Sequence, residues 1–249
     1  MSYKESFNAE KQTLKELKFH KKIEYIFNYH KLELIILLVL FLFVFTYLVP
    51  TVKKSRVKLS VEFVNCYDTD ANVKLQDLLK SFTEKSKMLE EKEIYFGNSL
   101  FFTVDSDYIF FNDNAATMQN IMVKSSAGKT DAVIGDSNTM LYFSCTDMFC
   151  DLRDVFSEEQ LKQYEDKIIY VDKKMIDMIS TTKDDPIEIF LQFGVGKNKD
   201  EMKEPIPVLI DLSENSTLKG MYKTEIYFGM TTDKHSENVI EIVDFLFIK

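Results

Sequence analysis

Tryptophan is absent from the 249 residues, and glycine occurs only seven times. The first absence removes the side chain that commonly stacks on sugars. The second, with the glycines scattered singly, leaves no loop able to cradle a phosphate. Histidine is nearly as scarce: His235 is the only one beyond residue 50. Ser–His–Asp or Cys–His catalysis would have to rest on it alone. It lies in Thr-Thr-Asp-Lys-His-Ser-Glu, just before the last helical pattern, where a solvated turn and helix cap is expected. Gly97-Asn-Ser99 and Gly135-Asp-Ser137 lack the paired glycines of a nucleophile elbow.

The three cysteines, Cys66, Cys145 and Cys150, are an odd set, so at most one internal disulfide can form. Cys145 and Cys150 are spaced to bridge a loop. Cys-Thr-Asp-Met-Phe-Cys is neither a redox motif nor, beside a single histidine, half of a zinc site. Buried or half-buried thiols are the expectation. Positive charge is also short. From Thr51 onward there are 24 basic and 35 acidic residues, a net charge of −11. Such a domain has no electrostatic case for nucleic acid. An anionic membrane surface would repel it except at the collar from Lys53 to Lys58.

What the chain does have is one apolar run, Leu34 to Val49, 16 residues without a charge. As a helix it would measure roughly 24 Å, a little short of a hydrocarbon core. Tyr29, His30 and Lys31 on one side and Tyr47 on the other supply interfacial anchors. A signal peptide is disfavoured by the long charged stretch before the run and by Leu48-Val49-Pro50-Thr51 after it. The expected organisation is a cytoplasmic tail over 1–32 with a juxtamembrane amphipathic helix, a transmembrane helix over 33–50, and an extracytoplasmic domain over 51–249. Close to the span the basic residues balance, four on each flank. The whole tail, with seven lysines, tips the orientation toward a cytoplasmic N-terminus.

Within the tail, Phe19, Ile23, Ile26 and Phe27 recur at helical spacing among lysines. Beyond the span, Val57, Leu59, Val61 and Phe63 alternate with Lys58, Ser60 and Glu62, predicting a strand with one buried face. Helices are predicted over 75–87 and 115–127, the second stopping at Gly128. Strands are predicted over 93–104, 108–111, 168–171, 187–195, 206–210 and 225–230. Asp131-Ala-Val-Ile-Gly-Asp136 reads as a wholly apolar strand from the middle of a parallel sheet covered on both faces. Ser157-Glu-Glu-Gln160 is a capping box. The chain closes on an amphipathic helix from Ser236, with Val239, Ile240, Val243, Leu246 and Phe247 inward. Alternating strands and helices define an α/β domain of roughly 195 residues, enough for a full core.

Carboxylates occur in pairs: Asp68 with Asp70, Asp105 with Asp107, Asp184 with Asp185. In a chain with 40 acidic residues such pairs are expected by composition. Asp105-Ser-Asp107 and Asn112-Asp-Asn114 lack the glycine and terminal glutamate of a calcium loop and read as turns.

A helix ending in glycine, then Gly128-Lys-Thr-Asp-Ala-Val-Ile-Gly-Asp136, a short helix, and Met148-Phe-Cys-Asp-Leu-Arg-Asp154 resembles the extracellular solute-binding proteins of bacterial ABC importers. Lys22-Ile-Glu-Tyr-Ile-Phe-Asn-Tyr-His-Lys31 is similar to the entry to the anchor of small single-pass membrane proteins of low-GC Gram-positive bacteria that carry a reduced domain of this type. The resemblance implies a periplasmic-binding-protein-like α/β domain behind one transmembrane helix, on the outer side of the membrane. In that fold the strand matching 131–136 leads to a cleft between two lobes.

Ligands of open α/β sheets bind at the carboxyl ends of strands. The candidate ligand-binding residues are therefore Asp131, Asp136, Ser137 and Asn138, the last three doubling as a helix cap. No catalytic residue, metal ligand or cofactor is expected. The expected partners are the lipid bilayer, a membrane protein such as a transporter, and a small ligand of unknown identity. The alternative is an assembly or immunity-type membrane protein that binds a partner protein and no solute.

Overall fold

The computed structural model describes residues 57–66, 70–104, 113–193 and 199–247, together with 31–43 and a few single positions nearby. The chain divides into two compact units, Met1–Arg56 and Val57–Lys249. In the first, helix α1 (Lys31–Phe43) is apolar from Leu34 onward, and its side chains from Ile35 to Phe43 are exposed on every side. Among the described residues no helix is long and apolar enough to cross a membrane. Nearly all of the predicted amphipathic helix before Lys31, and the end of the predicted span beyond Phe43, lie outside the described residues.

The second unit is built on a six-stranded mixed sheet with the order β2-β1-β3-β6-β5-β4. Its strands are β1 (Leu59–Val64), β2 (Ile94–Leu100), β3 (Ala132–Asp136), β4 (Ile168–Asp172), β5 (Pro205–Asp211) and β6 (Ile226–Met230). β1 pairs in parallel with both β2 and β3. β3 to β6, β6 to β5 and β5 to β4 are antiparallel contacts. The apolar Ala132–Asp136 strand is central and covered, as its composition predicts. The expectation of a parallel surrounding is half met, because β6 returns beside it in the opposite sense.

Helices α2 (Ala71–Lys85) and α9 (Ser236–Phe247) cover one face. Phe63, Ile134 and Phe228 from the sheet meet Leu78, Phe82, Ile242 and Val243 there. The other face carries α3 (Asp113–Ser126), α4 (Ser137–Ser144), α6 (Lys173–Thr181) and α7 (Pro186–Phe193). On that side Val64, Val133 and Leu209 pack with Ile121, Phe143, Ile179 and Phe190. Short helices α5 (Glu158–Gln163) and α8 (Ser216–Lys219) complete the described α-helices.

Local signals explain the helix ends. α3 stops where Gly128 takes φ 61, with Lys129 N–H bonding back to the Lys124 carbonyl and Gly128 N–H to that of Ser125. The capping box of α5 forms in both directions, Gln160 N–H to Ser157 Oγ and Ser157 N–H to Gln160 Oε1. Asp172 accepts the N–H groups of Lys174, Lys203 and Glu204, tying the start of α6 to the approach of β5. These bonds, that from Lys203 foremost, hold its carboxyl below the ordinary range.

Two predictions need correction. Residues 187–193, expected as part of a strand, form α7. Pro186 sits at the first helical position and the Asp185 carboxylate accepts the Ile187 N–H. A short apolar run does not separate helix from strand by periodicity, and these start signals decide it. The predicted strand over 108–111 lies outside the described residues. The second correction concerns β1, expected to bury one face. All six of its residues are buried, including Ser60 and Glu62.

Glu62 is 1% exposed and forms a 2.6 Å ion pair with Lys124 of α3. Its carboxylate lies over Gly97 of β2, where a Cβ would overlap it. Gly97→Ala is expected to lower unfolding free energy by about 2 kcal/mol through this clash. Lys124→Met, which strands the buried carboxylate, is expected to lower it by about 3 kcal/mol, and pairing it with Glu62→Met restores most of the loss. Urea unfolding of the four proteins checks the set.

Candidate functional site

The carboxyl ends of β1, β2 and β3 lie together, and the connections of β1 and β3 leave toward opposite margins of the sheet. This is the switch point at which ligands of open α/β sheets bind. Here the chain's own side chains occupy it. Asn65, directly after β1, is 3% exposed and adopts φ 59, a conformation asparagine tolerates better than most residues. Its amide nitrogen shares two hydrogens among the Phe102 carbonyl at 2.5 Å, Asp136 Oδ2 at 2.6 Å and Thr139 Oγ1 at 2.9 Å. Its oxygen accepts the Phe102 N–H at 2.8 Å. One side chain thus bolts the ends of all three parallel strands to α4.

Asp136 is the N-cap of α4, accepting the Thr139 N–H at 3.1 Å. Behind it the buried Tyr222 hydroxyl donates to the Ile134 carbonyl at 3.2 Å, and burial pushes this phenol well above its ordinary pKa. Ser137 is half-buried and Asn138 exposed in the first turn of α4. The helix-cap role of Asp136-Ser-Asn138 is therefore the one the geometry displays.

Asp131 does not belong with them. It precedes β3, at the amino end, about 16 Å of strand away from Asp136. The prediction that all four candidates share the carboxyl end is wrong for this residue, because the strand runs between the two aspartates. Asp131 is 2% exposed. It accepts the Ser60 N–H at 2.7 Å and faces His235 Nδ1 at 2.8 Å. His235 caps α9 through its carbonyl, which accepts the Asn238 and Val239 N–H groups. Its ring, 35% exposed, is tied to a buried carboxylate rather than simply solvated. Such a pair fixes an imidazole's orientation. Among the described residues no hydroxyl or thiol is hydrogen-bonded to that ring.

The other candidate groups fall into structural places. Asn114 clasps Thr103, its amide accepting the N–H and donating to the carbonyl. Cys145 and Cys150 both remain thiols, so the possible 145–150 bridge is not made. Burial pushes the Cys145 thiol up to about 12, and burial with Asp233, Asp154 and Asp147 raises that of the half-buried Cys150. Among the described residues no group of three or more His, Cys, Asp or Glu side chains is placed to hold a metal ion.

A cleft of about 530 Å³ lies between α2, the end of β5 and the end of α9. Leu78, Leu212, Phe245 and Leu246 contribute its apolar surface. Its rim charges are partly engaged, Lys167 with Glu214 at 3.0 Å and Lys85 over the Phe245 ring. None of the four sequence candidates lines it. Neither a protein-family model, nor a curated protein, nor a solved structure matches this chain.

Sequence reasoning missed Asn65 and Thr139. The available signal was an asparagine closing an apolar strand, which marks a left-handed exit. Asn65→Ala should lose both the hydrogen bonds and the tolerated backbone conformation. Asn65→Gly should lose only the bonds and unfold with about 1 kcal/mol more stability than Asn65→Ala. Equal urea midpoints for the two would contradict the strain at this position.

Proposed function

We propose that this chain is a membrane-tethered protein whose acidic α/β domain lies outside the cytoplasm and binds a partner protein, with no solute and no catalysis. The carrying observation is the sealed switch point. Where a solute-binding domain would open a crevice, Asn65, Asp136, Thr139 and Phe102 satisfy one another. A buried polar network of this kind is costly to open, since each separated group loses its partner. Support for the tether comes from α1, whose apolar side chains are exposed all round. A helix apolar on every side is at home in lipid or in a large core. The seven lysines before the run support the outward orientation.

In this reading the domain presents a surface to a membrane complex, such as a transporter or an assembly it protects. The 530 Å³ cleft is a surface recess of mixed charge.

Two measurements test the proposal. In intact cells, a membrane-impermeant maleimide should modify Cys150 alone, while Cys66 and Cys145 react only after unfolding. Because the Cys150 pKa is raised, less of it is thiolate at neutral pH. Labelling should start slowly at pH 7 and accelerate toward pH 9. Modification only after permeabilisation would place the domain in the cytoplasm and overturn the orientation. A broad small-molecule thermal-shift screen of the purified full chain should give no stabilising hit, and a cross-linked membrane protein should co-purify. A ligand raising the melting temperature in proportion to its concentration would overturn the absence of a solute.

A further inference from the structure

We infer that the cleft between α2, the end of β5 and the end of α9 is where the partner protein docks, receiving a segment of apolar side chains flanked by lysine or arginine. The inference rests on the partner-binding reading and names the site and the chemistry it takes. The floor of the cleft is apolar. Leu78, Leu212 and Leu246 are buried there, and the rings of Phe245 and Phe247 are half-buried beside them. Both rings are held by neighbours. Phe245 packs on Phe82 with centroids 5.3 Å apart, and Phe247 packs on Tyr164 at 4.8 Å. The Tyr164 hydroxyl donates to the Asp244 carboxylate, which fixes the ring behind Phe247. Aromatic surface already held in place loses little freedom when a partner covers it.

One rim of the cleft is a stripe along α2. Asp77, Ser81 and Lys85 follow one another at intervals of four residues, so they stand on one side of the helix. From Asp77 to Lys85 the helix rises roughly 12 Å. A rim of that length accommodates about four residues of extended chain.

The charges around the floor do not balance. Among the described residues three carboxylates line the cleft, those of Asp77, Asp211 and Glu214, against the two cations Lys85 and Lys167. Lys167 pairs with Glu214 at 3.0 Å and also feels Asp211. Lys85 is directed at the Phe245 ring, 5.3 Å from its centre. Asp77 is exposed and has no ion-pair partner among the described residues. The last turn of α9 adds to this surplus. It lines the cleft and holds no basic residue, so the negative end of the helix dipole lies there. Asn215 Nδ2 donates to one of its carbonyls, that of Leu246, at 2.8 Å. Basic residues flanking an apolar segment meet the surplus while the apolar side chains cover the two rings. An acidic segment would add repulsion in a domain that already carries net −11.

The test uses the full chain in its membrane. Ser81→Trp fills the cleft from its rim, and Asp77→Lys reverses the unpaired charge. Both positions are exposed, so each variant should melt within about 2 °C of the unmodified chain. Each should recover less than about a tenth of the cross-linked membrane protein that the unmodified chain recovers. Met122→Ser, an exposed change on the opposite face of the sheet, should recover all of it. The photoprobe benzoyl-phenylalanine, placed in exchange for Ser81, should form its adduct on a segment in which leucine, isoleucine or phenylalanine is flanked by lysine or arginine. Mass spectrometry of the adduct reads that segment. If Ser81→Trp does not fold, Asp77→Lys and the adduct decide. Full recovery with either folded cleft variant, or an adduct on an acidic or uncharged segment, overturns the inference while leaving the partner-binding reading in place. Failure of the unmodified chain to recover any membrane protein removes that reading, and the inference with it.

Discussion

Burial of β1 on both faces is the constraint around which the rest of the domain is arranged. A strand flanked by two others and roofed by helices on each side must place alternate side chains in two separate cores. Leu59, Val61 and Phe63 suit the α2–α9 side without difficulty. Ser60 and Glu62, on the opposite side, do not. The charge of Glu62 obliges α3 to bring Lys124 to it, and its bulk obliges β2 to carry glycine at position 97. The path of α3 is then fixed at its far end by the left-handed Gly128, which turns the chain directly into β3. A single buried acid thus couples two strands, a helix and a turn.

Much of this architecture was legible from residue patterns. The apolar strand 132–136, the capping box at Ser157, the glycine exit of α3 and the closing helix all follow from local chemistry that acts over a few residues. The failures share a different cause. β1 read as half-exposed because alternation records polarity, not surroundings, and a glutamate can be buried when a lysine from a helix 62 residues later neutralises it. Residues 187–193 read as strand because the hydrophobic run hid a helix whose start lies in Asp185 and Pro186. Residues 131 and 136 read as one site because closeness in sequence was taken for closeness in space. In a strand the two are its opposite ends. Asn65 was invisible for the converse reason, since its partners Phe102, Asp136 and Thr139 are distant in sequence and assembled only by the sheet.

The two polar centres at the ends of β3 have different characters. At the carboxyl end Asn65 uses its whole amide on internal partners, and its neighbours form a closed set. At the amino end Asp131 is equally buried, but the imidazole it holds reaches solvent. A fold of this class ordinarily leaves its carboxyl end open for chemistry or recognition. Here, among the described residues, the chain's own side chains fill that end.

The order β2-β1-β3-β6-β5-β4 also governs how the molecule comes into being. β1, β2 and β3 are consecutive in the chain, as are β4, β5 and β6. The seam between the halves is the contact of β3 with β6, the last of the described strands to be made. During synthesis the edge of β3 that later pairs along Ala132 to Asp136 must therefore wait unpaired until β6, ending at Met230, has emerged. A nascent chain held in that interval presents a bare strand edge, its backbone donors and acceptors unpaired between the apolar side chains of Ala132 to Ile134. Its dependence on chaperones should consequently be concentrated in the stretch of translation between residue 136 and residue 230.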